Sequence, residues 1–457
     1  MVALSERKME IVRTLVTGAP DRIVDGLHQA LADASGDTPL ATVRRLVENE
    51  VRDRRLRNIV LQPIAPMCVG DGRDTHGLTF PSFVLGLLWK GLKAVAPQEI
   101  EKAAVALYDF RPGESSPAPF DALVKIACDA VRARDPKEFR LASDLCDQAR
   151  DGGAGILISC LEIAPVVRRS TVRLPEWIAH FGEETTAAAR LAYRDACAVS
   201  DDGGPRYFEM IAAQMPHPWM VLRVISAVME KPNERYLAES ELGAFAERVM
   251  ADIDEALRAI SQLDIDAGPD ASKSAATMVE LVTLQVAELE STIELSREEG
   301  WGRRLHKQKN SLATVVEGRI RDAEKYVITS LPTQPPKLRR MRRSIPRLSI
   351  APDKKIVSRA MTLLHFAREI RSSANYGGFA SARGKMLEKV GDHLDHYVEE
   401  VLDLIKTGDA ESESVAREFL NVVAEYSRLV RDDKAADLVR RRAAAAHFPE
   451  TPAARVG

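Results

Sequence analysis

The amino-acid sequence predicts an all-α fold, and three observations support this prediction. Apolar residues recur at intervals of three and four along most of the 457 residues, which is the period of an amphipathic helix. Ala, Leu, Val, Arg and Glu dominate, and such residues mostly lose little conformational entropy in helices. Alternating runs of β-branched residues, which indicate strands, are scarce. We expect a multi-helix N-terminal domain, then a bundle of longer antiparallel helices with a basic proline-rich loop.

The composition limits the class of protein. A hydrophobic fraction of 45% and a charged fraction of 29% are typical of a folded globular chain. The longest apolar stretches, 83–89 and 154–161, are far shorter than the ~20 residues that span a bilayer. The N-terminus lacks the apolar core of a signal peptide. We therefore expect a cytoplasmic protein without a transmembrane segment.

Residues 1–205 are predicted to form a helical domain of many short helices. Two or three helices are expected within 4–60, where helical intervals separate Ile11, Leu15, Ile23, Leu27 and Leu31. A glycine-containing loop is predicted over 66–80, before an apolar, largely buried helix from Pro81 to about Val95. Further helices are predicted at 97–108, 119–134 and 136–150. Glycine-rich breaks follow at 151–155 and 201–205, and the second break sets the predicted domain boundary.

The second half of the chain predicts longer helices, beginning with a part of the bundle at 206–330. Pro216 and Pro218 interrupt a first candidate at Tyr207–Met229, and an amphipathic pattern begins at Leu242. Residues 272–330 are predicted to be almost continuously helical. A seam typical of a coiled coil or of one bundle helix runs through Val279, Val282, Val286, Leu289 and Ile293. It lapses at Gly300 and Gly302 and returns at Leu312, Val316, Ile320, Ala323 and Val327.

Residues 331–352 are predicted to form a linker or long loop. Five prolines exclude a regular helix there and remove donors that a strand ladder needs. Helices are expected to resume at 353–374, 381–406 and 411–445, so that 353–445 completes the bundle. A disordered tail is expected at 446–457.

The net charge changes sign in the middle of the chain. Residues 232–299 contain 16 acidic and 5 basic residues, whereas residues 300–347 contain 13 basic and 3 acidic residues. The first block therefore has a net charge of −11 and the second +10, in a chain whose net charge is −3. The basic residues are densest at Lys337, Arg339, Arg340, Arg342, Arg343 and Arg347. Such segregation concerns partners rather than fold.

Three alternatives account for this basic segment. In the preferred one, the acidic block 232–299 neutralises it inside the molecule, as an antiparallel helix pair would. The second alternative is a protein partner with an acidic face. The third is nucleic acid or an anionic lipid bound through 303–347. Against this third alternative, the loop has no aromatic residue and the chain has no recognisable nucleic-acid-binding motif.

The candidate metal ligands are Asp392, His393, Asp395 and His396. On a helix, residues 392 and 396 share a face, and His and Asp at such spacings can ligate a divalent metal. A solvated polar face with ordinary histidines is the alternative. Elsewhere, Gly152–Gly155 lacks the spacing of a phosphate-binding loop, and Asp264–Asp270 is not followed by the final glutamate of a calcium loop.

The five cysteines, at positions 68, 128, 146, 160 and 197, form no C-x-x-C pair and lie mostly among apolar residues. This pattern is typical of buried free thiols in a reducing compartment, with a zinc site or catalytic thiol as the alternative.

These patterns favour a binding protein over an enzyme. The sequence has no catalytic or cofactor motif, so we assign no catalytic residue and expect no cofactor. The preferred hypothesis is a non-enzymatic cytoplasmic scaffold or regulatory adaptor that binds protein partners through helical surfaces. The first alternative is binding of nucleic acid or an anionic membrane through 303–347. The second is a metal-dependent helical-bundle enzyme that uses Asp392–His396.

Overall fold

The computed structural model describes residues 6–33, 39–69, 77–111, 117–335 and 345–446. It is 78% helical, and the described residues contain twenty α-helices, two short 3₁₀ turns and four strands of two residues each. The predicted all-α fold is confirmed. Among the described residues, no helix combines the length and the apolar character needed to cross a bilayer.

The chain divides into an N-terminal unit, Met1–Pro232, and a C-terminal unit, Asn233–Gly457. The division therefore comes later than the predicted boundary at 205. Gly203, within the predicted break, instead begins a helix whose Tyr207 and Phe208 are fully buried. The side chains that follow the break belong to the core of the N-terminal unit, and this apolar burial moves the boundary to Pro232.

The described part of the N-terminal unit contains twelve helices. They are α1 (Glu6–Gly18), α2 (Asp21–Ala30), α3 (Pro39–Val60), α4 (Phe83–Val95), α5 (Pro97–Asp109), α6 (Ala118–Ala133), α7 (Lys137–Ala149), α8 (Gly153–Thr171), α9 (Leu174–Ala179), α10 (Glu183–Val199), α11 (Gly203–Gln214) and α12 (Val221–Met229). Helix α8 is central, because α6, α7, α10 and α11 all pack against it. Strands β1 (Cys68–Val69) and β2 (Phe80–Pro81) pair in parallel.

A glycine turn joins α7 to α8. Gly152 has a φ of 69°, a left-handed conformation that glycine adopts without steric cost. A Cβ at Gly153 would lie 2.0 Å from the carbonyl oxygen of Cys146, so only glycine fits there. Asp147 Oδ1 accepts a hydrogen bond from the backbone N–H of Ala154 at 2.9 Å, which satisfies one free donor at the start of α8.

The described part of the C-terminal unit contains eight helices. They are α13 (Glu234–Ala238), α14 (Gly243–Ser261), α15 (Pro269–Thr292), α16 (Gly300–Ser330), α17 (Lys354–Glu369), α18 (Ala380–Thr407), α19 (Glu413–Val430) and α20 (Asp433–Ala445). Helix α16 is the longest and packs against α14, α17 and α18, while α15 packs against α14 and α17. The predicted helix 411–445 is divided, because Asp432 begins a new helix by accepting from Ala435 N at 2.8 Å.

All ten seam positions named in the sequence are buried. The predicted helix 272–330 is nevertheless two helices, because the backbone is extended at Ile293 and Glu294 pairs with Asn233 in a β-bridge. Helix α15 therefore buries its seam among the helices of its own unit, and α16 begins only at Gly300.

The predicted loop 331–352 has paired ends. Strands β3 (Thr333–Gln334) and β4 (Ile345–Pro346) are antiparallel, with Thr333 opposite Pro346 and Gln334 opposite Ile345. The expectation that the prolines would prevent a ladder is wrong at these ends. A neighbouring residue supplies the missing donor, since Arg347 N donates to the carbonyl of Pro332 at 2.9 Å.

Candidate functional site

The acidic block and the basic helix α16 contact one another within the C-terminal unit. Arg304 lies between two carboxylates of α14, with Nη1 2.7 Å from Glu247 Oε2 and Nη2 2.8 Å from Asp254 Oδ2. The indole N–H of Trp301 donates to the other oxygen of Glu247. The first basic turn of α16 is thus neutralised by α14 on one side.

Asp254 has a further partner in the buried side chain of Gln308. Gln308 Nε2 donates to Asp254 Oδ1 at 2.7 Å and to the carbonyl of Met250 at 2.8 Å. Burial alone would raise the pKa of Asp254, but the hydrogen bonds from Gln308 and Arg304 outweigh it and lower the pKa below 3.8. Asp254 therefore stays ionised at neutral pH and faces Arg304 as a carboxylate.

A second contact neutralises the opposite flank of α16. Lys309 Nζ lies 2.8 Å from Glu290 Oε1 on α15 and 5.1 Å from the centre of the Tyr376 ring. The hydroxyl of Tyr376 donates to the other oxygen of Glu290. Arg304 and Lys309 thus lie on the two flanks of the buried seam and are both paired.

The N-terminus of α16 is also capped by the acidic block. Glu234 accepts hydrogen bonds from the backbone N–H groups of Trp301 and Gly302, and from that of Ser296 at 2.9 Å. The N–H groups of Trp301 and Gly302 would otherwise lack partners within the helix. A carboxylate at this position also interacts favourably with the helix dipole.

The side of α16 opposite the seam carries cations without such partners. We define the outer face of α16 as Arg303, His306, Lys307, Asn310, Ser311 and Thr314. These side chains are exposed or half-exposed and line a shallow surface hollow. Arg303 and Lys307 have no ion-pair partner among the described residues. Neutralisation by the acidic block therefore accounts for Arg304 and Lys309 of α16, but not for Arg303 and Lys307.

The predicted basic loop lies almost entirely outside the described residues. This applies to Lys337, Arg339, Arg340, Arg342 and Arg343, whose role as an anion- or partner-binding segment stays a prediction. Arg347 is described and exposed, and its Nε lies 3.3 Å from the Ser349 hydroxyl.

The four candidate metal ligands lie on α18 but are not brought together as a site. Asp395 makes a bidentate pair with Arg431 at 2.8 and 2.7 Å, while Asp392 and His396 are exposed. Nowhere in the described part of the chain do three or more His, Cys, Asp or Glu side chains form a group that could hold a metal. Asp266, in the stretch that faintly resembled a calcium loop, is paired with Arg359 at 2.7 and 2.8 Å.

His393 points into the C-terminal unit. Its buried Nε2 has no hydrogen-bond partner among the residues that the structure describes, and its ring centre lies 6.3 Å from that of Tyr397. Burial lowers the pKa of His393 below its ordinary 6.5, and His396 adds to this effect. The folded protein thus holds His393 neutral, and protonation of this imidazole favours the unfolded state.

We expect the unfolding free energy of the C-terminal unit to fall as the pH drops from 7 to 5. A histidine whose folded pKa is depressed stabilises the fold above pH 6.5, and this contribution is lost as the pH falls below that value. His365 acts in the same direction. Urea unfolding at both pH values should show a smaller fall for His393→Phe than for the wild type. The exposed control His306→Gln, at a histidine on α16 that does not act on the His393 imidazole, should keep the wild-type fall. An unchanged fall in His393→Phe would contradict the assignment.

The buried cysteines carry no signature of a catalytic thiol. All five are unpaired, and Cys128, Cys146 and Cys160 are buried. Burial raises the pKa of Cys128 to about 11 and that of Cys146 to about 12. A thiol protonated at neutral pH is a poor nucleophile, so the structure does not favour the catalytic alternative at these positions.

The N-terminal helices expose apolar side chains, four of which the sequence analysis used only as evidence of helical periodicity. Ile11 and Leu15 of α1 are 53% and 66% exposed, and Ile23 and Leu27 of α2 are 53% and 38% exposed. Leu40 of α3 is 59% exposed. We call these five residues the N-terminal apolar face.

Smaller side chains form the core beneath this face. Val16, Val24 and Val47 are buried together, with Val12 and Val43 packed against them. Helices α1 and α2 therefore place Val16 and Val24 inside and Ile11, Leu15, Ile23 and Leu27 outside, whereas Leu31, just after α2, packs against the valine core. The sequence contains part of this signal, because the apolar residues of α1 at 11, 12, 15 and 16 cover a wider arc of the helix than Val12 and Val16 alone.

Comparison with known proteins finds no relative. No protein-family model, curated protein or solved structure matches this chain significantly. A function must therefore be inferred from the surfaces of the molecule itself.

Proposed function

We propose that the protein is a non-enzymatic scaffold or regulatory adaptor of the cytoplasm that binds a protein partner through its N-terminal apolar face. The supporting observation is the reversed burial of α1 and α2, in which the large aliphatic side chains lie outside a valine core. Exposing them costs hydrophobic free energy that a partner would recover by covering them. The unpaired cysteines are consistent with a reducing compartment.

The spacing of the exposed residues specifies the kind of partner. Ile11 and Leu15, like Ile23 and Leu27, are four residues apart and lie on the same side of their helices. Pairs of aliphatic anchors at this spacing are typical of helices that dock into an apolar groove. The partner is therefore expected to present an apolar groove or a helix face of its own.

The proposal is tested by photo-crosslinking in cell extract. A photoreactive amino acid at Leu15 or Ile23 should capture the same protein. Leu191 of α10, 56% exposed, is the matched control and should not capture it. Crosslinking only to a second copy of this chain, or equal capture at Leu191, would contradict an adaptor that binds through this face.

Substitution of the face gives the second readout. Ile11→Gln, Leu15→Gln, Ile23→Gln and Leu27→Gln together should leave the fold intact, since exposed substitutions usually change stability by within ~0.5 kcal/mol each. Binding of the captured partner should weaken by about 2 kcal/mol or more, as for loss of interface anchors, which is roughly a 30-fold rise in Kd. Calorimetric titration of the purified pair measures this change, and an unchanged Kd would refute the role of the face.

A further inference from the structure

The outer face of α16 carries only hydrogen-bond donors or groups that can donate. Arg303 and Lys307 contribute fixed positive charges, and His306, Asn310, Ser311 and Thr314 contribute an imidazole, an amide and two hydroxyls. None of these six side chains is a carboxylate, and Glu317, which follows on the same side of the helix, lies 3.9 Å from Arg321. Asn310 Nδ2 lies 3.1 Å from His306 Nε2, so two of these side chains already contact each other.

The fold gives no reason for the position of Arg303. It lies in the first turn of α16, which contains no acidic residue, and cations are unfavourable at this end of a helix dipole. Its neighbour Arg304 is compensated by Glu247 and Asp254, whereas Arg303 has no ion-pair partner among the described residues. An unfavourable cation in the first turn of a helix, without a contact that compensates it, is a candidate for a functional role.

The backbone N–H groups at the start of α16 are not available to an external anion. Glu234 already accepts from the N–H groups of Trp301 and Gly302. An external anion would therefore meet the side chains of the outer face rather than the helix terminus.

The chemistry of the outer face favours phosphate over other anionic partners. Protein interfaces rely on buried aromatic or aliphatic anchors, and membrane-binding helices need a large apolar face. The only apolar side chain lining the hollow is the half-exposed Val315. Arg, Lys, Asn, Ser and Thr side chains are the common donors to nucleic-acid phosphates. We propose that the outer face of α16 binds the phosphate backbone of a nucleic acid, independently of its base sequence.

The test uses the full-length chain and fluorescein-labelled oligonucleotides, single-stranded and duplex. Arg303→Glu with Lys307→Glu is compared with Lys385→Glu and Lys434→Glu, which change the net charge equally at exposed lysines of the same unit. Anisotropy is followed between about 50 and 200 mM salt. The first variant should bind at least ~tenfold more weakly, and its slope of log K against log salt should fall by about 2. The control variant should stay close to the wild type.

Thermal unfolding separates binding from folding. The first variant should melt at the wild-type temperature or slightly above it, because glutamate replaces a cation in the first turn of α16. Equal loss of binding in both variants, or wild-type binding in the first, would overturn the proposal. So would wild-type protein that binds anionic phosphatidylserine vesicles but neither oligonucleotide. A first variant that binds weakly only because it is unfolded would show a lowered melting temperature, which also contradicts the assignment of Arg303 and Lys307 to a free surface.

Discussion

Replacing Arg168 with leucine should lower the unfolding free energy of the N-terminal unit by about 3 kcal/mol. Arg168 is 6% exposed and joins three helices. Its Nη1 and Nη2 donate to the carbonyls of Ile59 and Val60, each at 2.6 Å, and its Nε donates to Asp121 at 3.0 Å. Leucine would leave these acceptors without their donors. The estimate lies at the low end of the range for broken buried pairs because Asp121 is 31% exposed and can be solvated.

The neighbouring residue is the control for this change. Arg169 is 58% exposed and lies 3.6 Å from Asp195, so Arg169→Leu should cost less than ~1 kcal/mol. Arg168→Lys should fall between the two, since an ammonium cannot reach three acceptors in the planar geometry of a guanidinium. Urea unfolding, followed by hydrogen exchange in α3, α6 and α8, measures the loss in this unit. Equal stability of Arg168→Leu and Arg169→Leu would show that the buried contacts are absent.

Arg304→Glu should lower the unfolding free energy of the C-terminal unit by about 2 kcal/mol. The substitution removes two ion pairs and places a third carboxylate beside Glu247 and Asp254. Each half-exposed pair contributes only ~0.2–1 kcal/mol, and repulsion of similar size replaces each of them. The difference from the wild type should shrink as the pH falls below 3.8, the ordinary value from which the pKa of Asp254 is lowered, because the carboxylate of Asp254 then becomes protonated. A difference that is the same at neutral and acid pH would show that the loss is not electrostatic.

The helices could be predicted from the sequence because their signals are local. Apolar residues at intervals of three and four located the buried seams of α15 and α16, and glycine and proline located most of the breaks. The sequence predictions were wrong where the structure depends on contacts between residues that are distant in the chain. The break at Ile293 depends on pairing with Asn233, and the position of α11 in the N-terminal unit depends on burial of Tyr207 and Phe208.

The position of the outer face of α16 could be predicted from the sequence, whereas the ion pairs of Arg304 could not. Extending the seam from Leu312 back along the helix places Arg303 and Lys307 on the opposite side, so their exposure follows from the period alone. The pairing of Arg304 does not follow, because it requires knowing that α14 packs against α16. In the same way, the wide apolar stripe of α1 was visible in the sequence, but which half of it faces α3 was not.

The division of charge on α16 is tested most directly by comparing Arg303→Glu with Arg304→Glu. The two positions are adjacent and the chemical change is identical. We predict that Arg304→Glu lowers the unfolding free energy of the C-terminal unit by about 2 kcal/mol, whereas Arg303→Glu leaves it unchanged or raises it by up to ~1 kcal/mol. Urea unfolding at neutral pH measures both values. Equal losses at the two positions would contradict a paired flank at Arg304 and a free outer face at Arg303.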